Sequence, residues 1–250
     1  MPAWLQAGLW GWTAGAALLL GAGFGFFARV PQRAIATTMA FGSGVLISVL
    51  SFDLMETAYE RGGAAATAIG FLIGAILFSA ANWMLAQRGA LYRKSSQEQQ
   101  PSEAEEAGSG MAIAVGTLLD GIPESIAIGI TLLDGHSVSL VTVIGVMLSN
   151  IPEGLSSSAG MRRAGRTARY VFGVWASIAL VSGLAALVGF SVFGQFSNGV
   201  IAATTAIAAG AILAMLADTM IPEAFAETQT FTGLITVVGF LVAFTLSHYT

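Results

Sequence analysis

Long apolar runs alternate with short polar breaks along the whole chain. A helix needs about 20 predominantly apolar residues to cross a bilayer. Eight stretches reach that length: residues 5–28, 34–55, 64–86, 111–133, 138–161, 170–193, 199–221 and 231–247. The runs are continuous and do not alternate with period two. They therefore predict helices, not the strands of a membrane barrel. The first run has no basic flank and is too long for a secretory leader, so it is expected to remain as a helix. The pattern predicts an all-α polytopic membrane protein with eight transmembrane helices.

Composition agrees. Of the 250 residues, 55% are hydrophobic and 10% charged, against about 25% charged in a soluble domain. So few charges cannot cover a water-facing surface. No basic tract is present, which argues against a nucleic-acid partner. With no cysteine, disulfides, thiolate catalysis and thiolate metal ligation are excluded. Only residues 87–110, containing "RKSSQEQQPSEAEEAGSG", form a sizeable polar stretch. Their composition predicts a disordered cytoplasmic linker. It separates helices 1–3 (1–86) from helices 4–5 (111–161) and helices 6–8 (162–250). The other loops are too short for a soluble catalytic domain, so a non-enzyme is expected.

Charge sets the orientation. Arg29, Arg33, Arg88, Arg93, Lys94, Arg162, Arg163, Arg166 and Arg169 fall on one side of the eight-helix scheme, and Arg61 on the other. Basic loops stay in the cytoplasm. The expected placement is multi-pass in the cell (inner) membrane, with both termini extracytoplasmic. Gly21/Gly25 and Gly70/Gly74 have the spacing of small-residue helix contacts. They predict tight packing within one bundle, with the face of a homodimer as the alternative.

Polar residues inside the apolar runs carry the candidate chemistry. "LLDGIPESIAIGI" places Asp120 and Glu124 four apart, on one helix face with Thr117 and Thr131. "MLSNIPEGLSSSAG" aligns Ser149, Asn150, Glu153, Ser156 and Gly160. A carboxylate at mid-membrane costs about 2.5–3.5 kcal/mol on the insertion scale. Asp120, Glu124 and Glu153 must be compensated. No Lys, Arg or His lies in either run, so internal salt bridges are not expected. The acids are protonated, face water or hold a bound cation. Carboxylates that face one another favour the last two. Pro123 and Pro152 lack an N–H and free the carbonyls of Leu119 and Leu148. Broken helices at this depth are tolerated where they line a cavity.

A weaker signal links "SVLSFDLMETAYE" with "AMLADTMIPEAFAE". Each has an Asp (Asp53, Asp218), a nearby Glu (Glu56, Glu223), an aromatic and another Glu. The two runs cross the membrane in opposite directions, as an inverted repeat would. In these positions the acids are either solvated at the interface or part of a gate. His136 and His248 are given no ligand role, and Met147 and Met215 are expected to pack.

These motifs resemble those of the ZIP family of divalent-metal transporters. The family pattern His-Asn-x-Pro-Glu reads Asp120-Gly121-Ile122-Pro123-Glu124 in run 4. In run 5 it reads Ser149-Asn150-Ile151-Pro152-Glu153. A third motif, His-Glu-x-x-Pro-Glu, reads Asp218-Thr219-Met220-Ile221-Pro222-Glu223. The Pro-Glu pairs are kept and the motif histidines are not. In "SGLAALVG" Ala186 stands where two-metal members carry a glutamate. The resemblance implies a 3+2+3 helix order with an inverted repeat and elevator-like movement. It implies one metal site of Asp120, Glu124, Glu153 and Asn150, with Ser149 as a further candidate ligand. The substrate would be zinc, iron, manganese or cadmium, moved into the cytoplasm without a prosthetic group. Donors that are all oxygen suit harder ions such as Mn²⁺. From helix direction, Asp53 and Glu56 would mark the entry, and Asp218 and Glu223 the exit. Two other readings stay open: a ZIP-like sensor or scaffold that moves nothing, and an intramembrane protease with Asp120 and Asp218 as its dyad. The second lacks any Gly-x-Gly-Asp type motif.

Overall fold

The computed structural model describes residues 1–134 and 138–249; His136 lies outside them. The described residues are helical, without strands. The main helices are α1 (Ala3–Phe27), α2 (Gln32–Val49), α3 (Met55–Leu85), α4 (Ser109–Thr131), α5 (Leu140–Arg163), α6 (Ala168–Phe193), α7 (Asn198–Met215), α8 (Ile221–Thr228) and α9 (Thr232–Tyr249). Six helical stretches are long and apolar enough to cross a membrane. Four are α1, α4, α5 and α6. The other two, Gln32–Ala90 and Asn198–Tyr249, hold 59 and 52 residues, far more than the 20 or so that one crossing needs.

Each of these long stretches contains a break. In the first, Gly63 takes φ 70, ψ 177, a conformation open to glycine and costly for any residue with a Cβ. In the second, Gln229 ends α8 at φ 41, ψ −111. Both also contain a π-helical turn, Leu50–Leu54 and Leu216–Met220. These turns hold Asp53 and Asp218, the paired acids of the two related motifs. One-turn π segments commonly mark functional positions.

Packing follows a reciprocal pattern. α1 lies against α5 and α6, and α4 against α6. α2 contacts α9 and α5, while α7 contacts α3 and α4. Exchanging α1 with α6, α2 with α7, α3 with α9 and α4 with α5 maps this set of contacts onto itself. The α4–α5 pair is central, and α5 is the more deeply buried, down to its serines at 156–158. Leu72, Ile76, Leu77, Leu180, Leu184 and Leu234 point outward, each about 60% exposed. Such an apolar exterior needs lipid around it.

The spaced glycines are used inside the bundle. A Cβ on Gly21 or Gly25 would overlap the carbonyls of Ile151 or Leu155 on α5; one on Gly74 would overlap that of Ile207 on α7. These helices touch backbone to backbone. The Gly21/Gly25 and Gly70/Gly74 faces are therefore covered within one chain, and the dimer-face alternative does not apply to them.

The stretch 87–110 departs from expectation. It is folded onto the helices. A π-helical turn, Ala86–Ala90, continues α3 and contains Gly89 at φ 85. The chain then turns into the bundle, burying Arg93, Lys94, Ser95, Ser96 and Gln100. It leaves through Gly108, φ 87, into α4. Composition could not anticipate this because the ordering comes from partners on other helices. Gln100 Nε2 donates to the carbonyls of Arg93 (3.1 Å), Ser95 (2.8 Å) and Ser157 (3.1 Å). Ser156 donates to Lys94 O at 2.7 Å.

Candidate functional site

The sequence puts three carboxylates on the facing helices α4 and α5, and the fold buries all of them: Asp120 and Glu124 are 2% exposed and Glu153 3%. Pro123 and Pro152 lie inside the two helices. The expectation that no internal base reaches these acids is corrected by the folded linker. Arg93 forks onto Asp120, with Nε to Oδ2 at 2.8 Å and Nη2 to Oδ1 at 2.7 Å. This bidentate geometry is the strongest arrangement of an arginine and a carboxylate. Lys94 Nζ lies 2.8 Å from Glu153 Oε2 and 3.4 Å from Asp120 Oδ2. It also meets Met215 Sδ at 3.0 Å. Arg93 is fully buried and Lys94 3% exposed. Charges so far from water persist only when paired.

Glu124 differs. Its Oε1 is buried without a hydrogen-bond partner among the described residues, and it lies within electrostatic reach of Glu153, Lys94 and Asp120. Three carboxyl groups thus meet two bases. In this conformation the described residues hold no group of three acidic or histidine side chains able to ligate a metal ion. The guanidinium and ammonium stand between the acids.

The other candidates separate into three places. Ser149 is buried and donates to its own helix, to Val146 O at 2.9 Å. Asn150 turns to α1, with Nδ2 donating to Ala14 O at 2.9 Å, and so joins two helices. Asp53 binds the start of α5: Ser139 Oγ donates to its Oδ2 at 2.6 Å, and Thr142 Oγ1 donates to the same oxygen. Glu56 is exposed. Asp218 and Glu223 lie with the linker. Asn82 Nδ2 donates to Asp218 Oδ2 at 3.3 Å, and Asn82 Oδ1 accepts from Arg93 Nη1 at 2.7 Å. Asp120 and Asp218 are thus joined through Arg93 and Asn82, not paired as a dyad. Glu223 Oε1 accepts from Ser96 N at 2.7 Å and Ser96 Oγ at 2.6 Å.

The residues missed by sequence reasoning are Arg93, Lys94, Asn82, Ser96 and Gln100. One signal pointed to the first two. Three acids in apolar runs needed compensation, and Arg93-Lys94 is the only adjacent basic pair in the linker. Positive-inside counting assigned both to the membrane surface.

Farther along, the linker is tied to the α5–α6 turn. Arg166 Nη1 donates to Glu103 Oε1 at 2.8 Å, and Arg166 Nη2 to Ser109 Oγ at 2.7 Å. Glu103 also accepts from the backbone N–H of Gly108 and Gly110, each at 2.8 Å. The Gly108 N–H, then Arg166, then the Gly110 N–H hold its carboxyl down at about 2.

The chain matches no protein-family model, and a comparison with curated proteins gives no match.

Proposed function

We propose that the protein is a membrane transporter that moves a divalent transition-metal cation into the cytoplasm through an intramembrane carboxylate site. One observation carries this reading. Asp120 and Glu153, on two proline-containing helices, share one ammonium, and a third buried carboxyl beside them keeps an oxygen without a partner. Acidic side chains gathered inside a membrane bundle mark ion pathways. The cation is zinc, iron, manganese or cadmium. Asp120, Glu124 and Glu153 supply oxygen donors once the two bases withdraw.

The ZIP-like motifs support a scheme of eight passes in a 3+2+3 order. The reciprocal helix contacts and the matched π-helical turns at Asp53 and Asp218 support an inverted repeat. Breaks at Gly63 and Gln229 divide the two long helical stretches into two passes each. With both termini extracytoplasmic in the cell (inner) membrane, the folded linker lies on the cytoplasmic side. Asp218 and Glu223, which touch it or its partners, then line the exit. Asp53 and Glu56 stand near the entry, at the opposite end of α5 from Arg163. Elevator-like movement of the bundle that carries α4 and α5 would expose the site to each side in turn. A homodimer is compatible with the scheme.

A second reading has its own support. The buried Arg93–Asp120 fork neutralises that acid as it stands, which suits a metal- or proton-binding sensor or scaffold that moves nothing. Uptake of Mn²⁺, Fe²⁺, Zn²⁺ and Cd²⁺ into proteoliposomes distinguishes the two. The transporter reading predicts saturable influx in the wild type and its loss in Glu124→Gln. Absence of influx for every metal, with binding intact, would establish the second reading instead.

A further inference from the structure

The linker enters the carboxylate site as a positively charged strap. Its two left-handed glycines, Gly89 and Gly108, bracket the inserted segment. Its grip on the bundle is almost entirely polar: Gln100 and Ser156 hold its backbone, and Ser96 binds Glu223. Two helix glycines make room for it. A Cβ on Gly116 would lie 2.6 Å from Arg93 Cδ, and one on Gly160 would overlap Ser95 O. Such a segment can detach as a unit without opening an apolar core.

Resting on the transport reading, we infer that the Lys94 ammonium stands where the substrate cation binds. It is a tethered stand-in that must leave before the metal can enter. Its neighbours then give the substrate's donors. Glu153 Oε2 at 2.8 Å and Asp120 Oδ2 at 3.4 Å are oxygens. Met215 Sδ at 3.0 Å is a thioether. The sequence assigned Met215 to packing; at this position it is a ligand that makes the site softer than one of oxygens alone. Thioether sulfur favours soft ions and adds little for hard ones. The strap therefore competes with substrate, and Met215 biases the choice of metal.

The test is uptake of Mn²⁺ and Cd²⁺ by proteoliposomes holding the wild type, Gly160→Ala or Met215→Leu. Gly160→Ala pushes the strap away without removing a charge, and alanine suits a helix better than glycine. Met215→Leu conserves volume. Hydrogen exchange over residues 91–100 verifies that Gly160→Ala frees the strap. The expected result is a several-fold lower half-saturating concentration for both metals in Gly160→Ala. In Met215→Leu that concentration rises about tenfold for Cd²⁺ and hardly changes for Mn²⁺. Flux in the wild type with unchanged half-saturation in Gly160→Ala and an unchanged Cd²⁺/Mn²⁺ ratio in Met215→Leu would overturn the inference and leave the transport reading standing. No flux from any of the three proteins would overturn both.

Discussion

Lys94 brings a positive charge to a position 3% exposed and divides it between Glu153 and Asp120. Removing one partner of a buried pair leaves the other charge stranded, at a cost of about 3–5 kcal/mol. Lys94→Ala is therefore expected to destabilise the metal-free protein by that amount in detergent unfolding. Glu124→Gln should change stability by less than about 1 kcal/mol, because Glu124 Oε1 gives up no hydrogen bond. Equal losses in the two variants would contradict the assignment of the ion pairs. Glu103 gives a pH test. Its carboxyl titrates near 2 in the folded protein, against an ordinary value of 4.5. A depressed carboxyl stabilises the fold fully above the ordinary value, and that contribution fades as pH falls through the folded one. The Glu103 tie to Gly108, Gly110 and Arg166 is thus expected to be complete above pH 4.5 and lost as pH falls through about 2. A carbon-13 titration of the side chain should find its midpoint near 2, and a midpoint near 4.5 would place Glu103 free in solvent. At this scale the acids were legible, since a carboxylate stands out in an apolar run. Their bases were not, because nothing in a linear sequence shows that Arg93 and Lys94 turn back by 27 and 59 residues of separation to reach Asp120 and Glu153.

The helices were legible from hydropathy because each span buries backbone polar groups within itself. The expected run 111–133 becomes α4 at Ser109–Thr131, and 138–161 becomes α5 at Leu140–Arg163. The π-helical turns were not legible, since no residue type encodes them. The strap was hidden for a different reason: its order depends on Gln100, Ser156 and Glu223, polar groups that composition reads as solvated. Close helix contacts can be tested in pairs. A Cβ on Gly74 would overlap Ile207 O, whereas one on Gly23 meets nothing within 4 Å. Gly74→Ala is expected to cost about 1–3 kcal/mol through overpacking, lowering the apparent melting temperature. Gly23→Ala should match or exceed the wild type, since alanine is favoured over glycine in a helix by about 1 kcal/mol. A reversed order would show that α3 and α7 are not packed as described.

For the whole molecule, an apolar exterior encloses a polar centre in which helices from both halves of the chain meet. α4 and α5 bring the acids, the linker brings two bases, and α7 brings Met215. Asp120, Glu124 and Glu153 are proposed here as one cation site that the linker's bases fill at rest. The most direct test is equilibrium binding of Mn²⁺ to purified protein, followed by loss of the free-ion electron paramagnetic resonance signal. Wild type would be compared with Asp120→Asn, Glu124→Gln and Glu153→Gln. One saturable site per chain is expected, weakened at least tenfold by each substitution. Binding that is unaffected by all three substitutions would place the ion elsewhere and rule out the carboxylate site.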